Sequence, residues 1–439
     1  MLWPETTTRD TDGVMVIGGV RVDTLAADHG TPLYIYDEQT LRERASRVCN
    51  AFRAAYADSR VVYAAKAFGS PAVIQIFRDE GIGLDVVSAG ELRAGLIAGM
   101  PTELMTFHGN NKSREELVAA LDAGVDHIAV DNLEEIAMLG DICRDKETRA
   151  HILLRLNPGI DVHTHDKIAT GVNDSKFGFP VWDGSAAQAV TAVMNHPWLA
   201  LDGYHLHIGS QLLDWEGYVL AIGVGLGFAG EMKIEHGIVP RVFSPGGGFG
   251  IAYTKATTEP DIEGWANAAA DAVRAACAAN DLPLPLLIFE PGRFLVGSAG
   301  VALYRIGSRK AIAGVRTYVS VDGGMADNIR PALYEAIYTA EIASRRNEGE
   351  TELVTISGRY CESGDLLIRD IELPRLETGD LLALPGAGAY SLAMASNYNM
   401  VPRPAVVIVH EGKSSLIRRR ETIDDLLALD LLPERETKT

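Results

Sequence analysis

Val61-Val62-Tyr63-Ala64-Ala65-Lys66 is a short apolar run closed by a cation; Ala72 to Glu80 then carries apolar residues at three- and four-residue spacing, and Gly81 precedes a second apolar run, Leu84-Asp85-Val86-Val87. Strand, amphipathic helix, glycine stop and strand in that order make a βαβ unit, whose two strands lie parallel. The pattern repeats outward from this stretch. Eight β-rich runs can be counted between Arg60 and Glu290: Val61 to Lys66, Leu84 to Val87, Leu104 to His108, His127 to Val130, His151 to Leu156, Leu201 to His207, Val242 to Ser244 and Leu286 to Glu290. Their continuous apolar character suits strands buried on both faces. Gly90 to Ala98 and Ser113 to Ala123 read as further helices, the second opened by a Ser113 and Glu116 capping box, and Gly99 and Gly124 follow them. Eight alternations predict an α/β fold whose strands close into a (β/α)₈ barrel, with an open doubly wound sheet as the alternative.

Barrel enzymes carry their chemistry where the strands end. Here Lys66 closes the first run, Ser88-Ala89-Gly90-Glu91 follows the second, and His108-Gly109-Asn110-Asn111 closes the third. The sixth ends in His205-Leu206-His207-Ile208-Gly209-Ser210-Gln211, the seventh in Pro245-Gly246-Gly247-Gly248-Phe249-Gly250, and the eighth in Glu290-Pro291-Gly292-Arg293. A primary amine at a barrel mouth loses proton affinity by desolvation, which readies it to attack an aldehyde; a solvated strand-end lysine is the plainer reading of the hexapeptide alone. The glycine run falls in a loop that often binds phosphate in barrels, although by itself such a run is a flexible turn. Arg293 offers a charge-assisted contact to phosphate or carboxylate. His205 and His207 lie two apart on one strand and share a face, and His205 is either a site residue or a hydrogen-bonded structural one.

After Ala299 the period changes. Val301 to Ile306, Arg316 to Val321, Leu353 to Ile356, Leu366 to Ile371, Asp380 to Leu384 and Ala405 to Val409 predict a second, mostly antiparallel β domain, joined by Val14 to Val22. The expected division is 1–37, 38–298 and 299–439, with helix Glu38 to Tyr56 leading into the first barrel strand. The 439 residues carry 59 acidic and 40 basic side chains, a formal charge of −19 that opposes attraction to nucleic acid or anionic membrane. No basic leader and no run of about 18 apolar residues is apparent, so a cytoplasmic enzyme is expected. Cys49, Cys143, Cys277 and Cys361 have no paired spacing; neither disulfides nor a metal site are expected, and the first three read as small buried helix residues.

An amine, a phosphate cradle, a strand-end histidine and a glutamate together meet the needs of pyridoxal 5'-phosphate. Lys66 suits its aldehyde, the glycine N–H groups and Ser210 its phosphate, His207 its ring face, and Glu290 its pyridine nitrogen. Tyr63-Ala64-Ala65-Lys66-Ala67, His207-Ile208-Gly209-Ser210, Gly246-Gly247-Gly248, Glu290-Pro291-Gly292-Arg293 and Cys361-Glu362-Ser363-Gly364-Asp365 resemble the motif set of the fold type III, alanine racemase-like pyridoxal phosphate decarboxylases, over Pro32 to Val409. The narrower resemblance is to family members acting on meso-2,6-diaminopimelate. It rests on Phe107-His108-Gly109-Asn110-Asn111-Lys112-Ser113, Asp322-Gly323-Gly324-Met325-Ala326-Asp327-Asn328-Ile329-Arg330-Pro331, Cys361 to Asp365, and Ala389-Tyr390.

The resemblance implies that Lys66 bears the cofactor, that His207, Ser210, Gly246, Gly247, Gly248, Gly292, Arg293 and Tyr390 help hold it, and that Glu290 meets the ring nitrogen. It further implies that Arg293, Arg330, Tyr334, Glu362 and Tyr390 bind substrate, the arginines and tyrosine at a distal carboxylate and Glu362 at a distal ammonium. Cys361 would return a proton to the carbanion once carbon dioxide leaves. A homodimer is implied, with Cys361 and Glu362 entering the neighbouring subunit's site, and so is the last step of lysine biosynthesis. Phe68 and Glu335 depart from the family pattern, where a polar and a small residue are common, and bear on pocket shape.

Three other readings compete. A sister decarboxylase for ornithine, lysine, arginine or a carboxynorspermidine-like substrate would leave Arg330 without its carboxylate. A barrel metal-dependent hydrolase would use His205 and His207 as ligands, yet such enzymes place the histidine pair on the first strand, where this chain has Lys66. A decarboxylase-like regulatory subunit would have lost Lys66 or Cys361.

Overall fold

The structure, a computed structural model, describes residues 2–160 and 175–433. Two compact units make it up: Leu41–Ala252 with Ala256–Gly297, and Leu2–Thr40 with Tyr253–Lys255 and Ser298–Thr439.

The first unit is a closed barrel. Its strands are β1 (Ser59–Ala64), β2 (Gly83–Val86), β3 (Met105–Phe107), β4 (His127–Val130), β5 (Ala150–Asn157), β6 (Leu199–His205), β7 (Val242–Gly246) and β8 (Leu286–Phe289). Each pairs in parallel with the next, and β8 pairs with β1, Leu287 opposite Ser59 and Phe289 opposite Val61, so the sheet is not open. Val62, Leu153, Val242 and Ile288 meet in the interior from four strands. Burying each such side chain contributes about 1.5–3 kcal/mol. The helices form where the spacing predicts them: Pro71–Asp79, Ala89–Ile97, and Arg114–Ala123 with its Ser113 and Glu116 capping box and Gly124 in the left-handed region, φ +74°. Helix Glu216–His236 is long and apolar enough to cross a membrane by length and composition, contrary to the expectation from sequence; its Tyr218, Ile222, Leu226, Phe228 and Met232 are buried within this unit.

Near the amino ends of the strands, charges form a belt. Arg60 pairs with Asp126 at 2.6 Å, Asp126 with His127 Nδ1 at 3.1 Å, and His127 Nε2 with Asp202 at 3.2 Å. Asp202 also takes His151 Nδ1 at 2.8 Å and Arg241 at 2.5 Å.

In the second unit the main sheet runs Leu366–Pro374, Thr351–Ser357, Arg316–Val321, Gly300–Ile312, Leu33–Asp37, Ala405–His410, Lys413–Arg418, with Leu381–Leu384 also paired to Gly300–Ile312. All these pairings are antiparallel except Arg316–Val321 with Thr351–Ser357 and Leu33–Asp37 with Ala405–His410. Val14 to Val22 joins this unit, as expected, but not its main sheet: Met15–Ile17 pairs with Thr8–Arg9 on one side and Val20–Arg21 on the other in a small sheet of its own, and Leu33–Asp37 takes an interior place in the main one. The physical reason is burial: all five residues of Leu33–Asp37 are buried. Val14 and Met15 instead cap the apolar layer made by Leu33, Ile35, Val301, Leu303, Leu381 and Val407.

Candidate active site

A cavity of about 610 Å³ lies at the carboxyl ends of the barrel strands, lined among others by Lys66, Asp85, His108, Arg155, His205, His207 and Glu290. β1 stops at Ala64, not at Lys66; Lys66 is the centre of a 3₁₀ turn, Ala65–Ala67, that begins as the sheet ends. Gly292 fits against this turn, since a Cβ there would stand 3.1 Å from the Ala64 methyl and 3.2 Å from that of Ala67. Phe68 is buried, accepts the Tyr63 hydroxyl at its carbonyl at 3.0 Å, and does not line the cavity. Its departure from the family pattern therefore falls in the core.

Glu290 is fixed from two sides. The Ser244 hydroxyl donates to Oε1 at 2.7 Å and His205 Nε2 lies 3.0 Å from Oε2. Burial alone would raise this carboxyl, but His205 and His108 beside it and the bonds from His205 and Ser244 outweigh burial and hold it well below the usual range, hence ionised. His205 is thus a site residue and a structural one together. β6 ends at His205, so His207 lies just beyond the strand, although both side chains reach the cavity. Burial pushes His108 and His207 well below the usual histidine value, and Lys66 and Arg155 push His207 the same way. Asp85 moves up, from burial first and then from Glu290 and Glu91, against the pull of Lys66. Donor atoms of His108, His205 and Glu290 lie within 4.8 Å of one another, but both Glu290 oxygens already carry the hydrogen bonds above.

The glycine run is held rather than loose. Phe249 within it sits 5.1 Å from Trp265, 5.7 Å from Phe52 and 5.8 Å from Tyr218, ring centre to ring centre, and the Tyr218 hydroxyl donates to the Gly246 carbonyl at 3.0 Å. The Leu212 N–H donates to the Gly248 carbonyl and the Gly250 N–H to the Leu212 carbonyl, zipping the loop after β6 onto the run. Glycine is demanded by contact: a Cβ at Gly247 would stand 1.9 Å from the Glu290 carbonyl oxygen, and one at Gly248, φ +103°, 2.6 Å from that of Gly209. Beside them Arg293 Nη2 donates to the Ser210 hydroxyl at 3.0 Å. An amine, an ionised carboxylate, a buried His207 Nδ1 with no hydrogen-bond partner among the described residues, and a hydroxyl–guanidinium pair beside a close glycine turn fit pyridoxal phosphate.

Within the β unit, the motif Cys361 to Asp365 is organised by its last residue. Buried Asp365 accepts the Met325 N–H at 2.7 Å and the Tyr360 N–H at 2.8 Å, and Gly324 packs where a Cβ would meet its carboxylate at 2.4 Å. The Asp322 to Pro331 segment and the cysteine motif are therefore one packed structure, and it leaves Cys361 and Glu362 exposed. Arg330 is buried between Tyr253, 4.4 Å from its guanidinium, and Tyr338, to whose hydroxyl it is bonded; Tyr334 is exposed and Tyr390 sits at φ +60°. Glu335, at φ +52°, ends the helical turn Arg330–Tyr334. Reading the sequence missed Asp85, Arg155 and Ser244. The signal was present, because Arg155 stands in Leu154-Arg155-Leu156 and Asp85 in Leu84-Asp85-Val86, each a charge inside an apolar strand that only a polar cavity would accommodate.

Residues 42–297 match the family model of the pyridoxal binding domain of pyridoxal-dependent decarboxylases. Over 426 residues, 97% of each chain, the sequence is 46% identical to the diaminopimelate decarboxylase of Bacillus subtilis strain 168. Among solved structures, diaminopimelate decarboxylase from M. jannaschii in complex with L-lysine matches at a TM-score of 0.91 and 34% identity over 99% of both chains. The diaminopimelate decarboxylase from Helicobacter pylori complexed with L-lysine matches at 0.84 and 30% identity, over 93% of this chain and 99% of that one.

Proposed function

Because this chain belongs to the diaminopimelate decarboxylases of the pyridoxal-dependent decarboxylase family, we propose that it converts meso-2,6-diaminopimelate to L-lysine and carbon dioxide, as a cytoplasmic homodimer loaded with pyridoxal 5'-phosphate. The observation that carries this reading is Lys66 and an ionised, doubly anchored Glu290 in one cavity. Pyridoxal 5'-phosphate, when bound, supplies an electron sink for the charge left on the α-carbon as its carboxylate departs.

Lys66 presents the amine that would hold the aldehyde carbon. Ser210, Gly246, Gly247, Gly248, Gly292, Arg293 and Tyr390 would hold the phosphate end, and His207, kept neutral by burial, would lie along the ring. Glu290, ionised and held from two sides, would favour a proton on the ring nitrogen. Val87, Leu156, Ile160 and Phe177 in the cavity wall exclude water from the reacting carbon. Arg293, Arg330, Tyr334, Glu362 and Tyr390 bind the substrate away from that carbon, and Cys361 delivers one proton to it. One carbon dioxide leaves and one proton enters, so atoms and charge balance.

Purified protein is expected to be yellow, and Lys66→Ala colourless. Carbon dioxide release from meso-diaminopimelate should exceed that from ornithine, lysine or arginine by ~100-fold or more, because an arginine left without its carboxylate is strongly unfavourable. Equal rates would refute the substrate, and a colourless wild type would refute the whole reading.

A further inference from the structure

A buried ion pair braces one wall of the cavity without taking part in any step described above. Lys112, 4% exposed, donates to the Gly109 carbonyl at 2.6 Å and the Ala129 carbonyl at 2.8 Å and sets its ammonium 2.6 Å from Glu135 Oε1 as an ion pair, so three oxygens surround it. Glu135, 2% exposed, accepts the Asp131 N–H at 3.3 Å through its other oxygen. Asp131 in turn accepts the Gly178 N–H at 3.0 Å and stands 3.7 Å from Arg155 Nε, and the Arg155 guanidinium lies 4.4 Å above the Phe177 ring. This polar chain therefore joins the loops that follow β3 and β4 to the end of β5.

A buried pair of this kind contributes little stability compared with apolar residues of the same volume, so stability alone gives no reason for it. Its geometry does. Gly109, at φ +114°, bends the backbone directly after His108, and the Lys112 ammonium grips its carbonyl. His108 Nε2 stands 3.5 Å from Glu290 Oε1 with its ring 4.6 Å from that of His205, so a shift of the bend moves the group beside the anchored carboxylate. Arg155, at the other end of the chain, lines the same cavity.

We propose that Lys112, working through Glu135, is a positioning residue for decarboxylation: it locks the loop after β3 so that His108 and Arg155 keep their places around Glu290. This rests on the decarboxylase reading. The experiment uses the full chain loaded with pyridoxal 5'-phosphate and compares Lys112→Met, Lys112→Arg, Glu135→Gln and the double variant K112M/E135L. Turnover is taken per loaded site, counted by visible absorbance, and the visible circular dichroism of the bound cofactor reads site geometry without turnover. Lys112→Met should melt lower, because it strands a buried carboxylate, and K112M/E135L should recover that melting temperature. Both should turn over at least ~10-fold more slowly than wild type with KM within ~3-fold, and both should show a weakened dichroism band, since small displacements at a reacting centre cost rate steeply. Glu135→Gln, which still offers the ammonium an acceptor, should stay within ~3-fold of wild type. Lys112→Arg keeps the charge, and so the fold, but its planar fork cannot serve three acceptors around one point; it should lose ~10-fold in rate while staying loaded. Wild-type turnover and dichroism in K112M/E135L or in Lys112→Arg would overturn the proposal. A wild type that binds the cofactor but releases no carbon dioxide from meso-diaminopimelate would instead overturn the decarboxylase reading, leaving the dichroism to judge Lys112.

Discussion

Ser244 is the smallest of the groups that set the state of Glu290. Its hydroxyl favours the ionised carboxylate, so Ser244→Ala removes one of the influences holding that carboxyl low. The sign follows directly: Glu290 then takes up a proton at a higher pH, and the acid limb of the kcat profile moves toward neutrality while the alkaline limb stays. A profile shifted on both limbs, or on neither, would contradict the role given to Ser244. Gly247 is controlled by space rather than charge. With a Cβ 1.9 Å from the Glu290 carbonyl oxygen, Gly247→Ala must push the loops after β7 and β8 apart, at an overpacking cost of about 1–3 kcal/mol. Urea unfolding should register that loss, and fluorescence titration should show pyridoxal phosphate affinity falling by ~10-fold or more because the displaced atoms belong to the site.

Among the elements, the loop from Tyr360 to Asp365 is stabilised by one carboxylate. Asp365→Ala leaves the Met325 and Tyr360 N–H groups unpaired and opens space under Gly324. Losing those bonds costs about 1–3 kcal/mol each if the donors stay buried. Turnover should drop more than pyridoxal phosphate affinity, because Cys361 and Glu362 lie on this loop and the barrel residues proposed to hold the cofactor do not; equal loss of both would contradict that separation. The same loop illustrates what a sequence can reveal. Its Cys361 to Asp365 motif was recognisable by resemblance alone, but Asp365 and Gly324 pack against one another from segments far apart in the chain, a relation no local pattern encodes. The barrel strands were legible because burial on both faces makes each a continuous apolar run. Lys413–Arg418 was not, since as an edge strand it is mostly exposed and carries no apolar pattern. Leu33–Asp37 runs straight into helix Glu38–Ala55 with no turn residue to mark it. Cys49 was read as buried and is half-buried, whereas Cys143 and Cys277 are buried as expected.

At the scale of the molecule, the charged belt at the amino end of the barrel governs how stability responds to pH. His127 is raised: burial lowers it, but its bonds to Asp126 and Asp202 prevail. A histidine raised on folding stabilises fully below its unfolded value of about 6.5, and that contribution fades as pH climbs through the folded value. Asp202 and Asp126 are both held low by their histidine and arginine partners against burial, so their contribution is present above about 3.8 and is lost as pH falls through their folded values. The belt is therefore strongest between roughly pH 4 and 6.5. Melting temperatures of wild type and Asp202→Asn should differ most near pH 5.5 and by less toward pH 9, where the histidines are neutral and only Arg241 still favours the charged carboxylate. A gap of constant size across that range would mean the belt is held by shape rather than by charge.

The main sheet of the β unit imposes an order on how the chain is made. Its interior strand Leu33–Asp37 is synthesised before any of the barrel, while both neighbours, Gly300–Ile312 and Ala405–His410, emerge from the ribosome only after all of it. Throughout that interval Leu-Tyr-Ile-Tyr-Asp is an apolar strand with two open edges, the kind of segment that seeks any partner available. Translation of this protein thus leaves a sticky strand waiting near its start, and chaperone capture during synthesis should centre on those five residues until Gly300–Ile312 has been released.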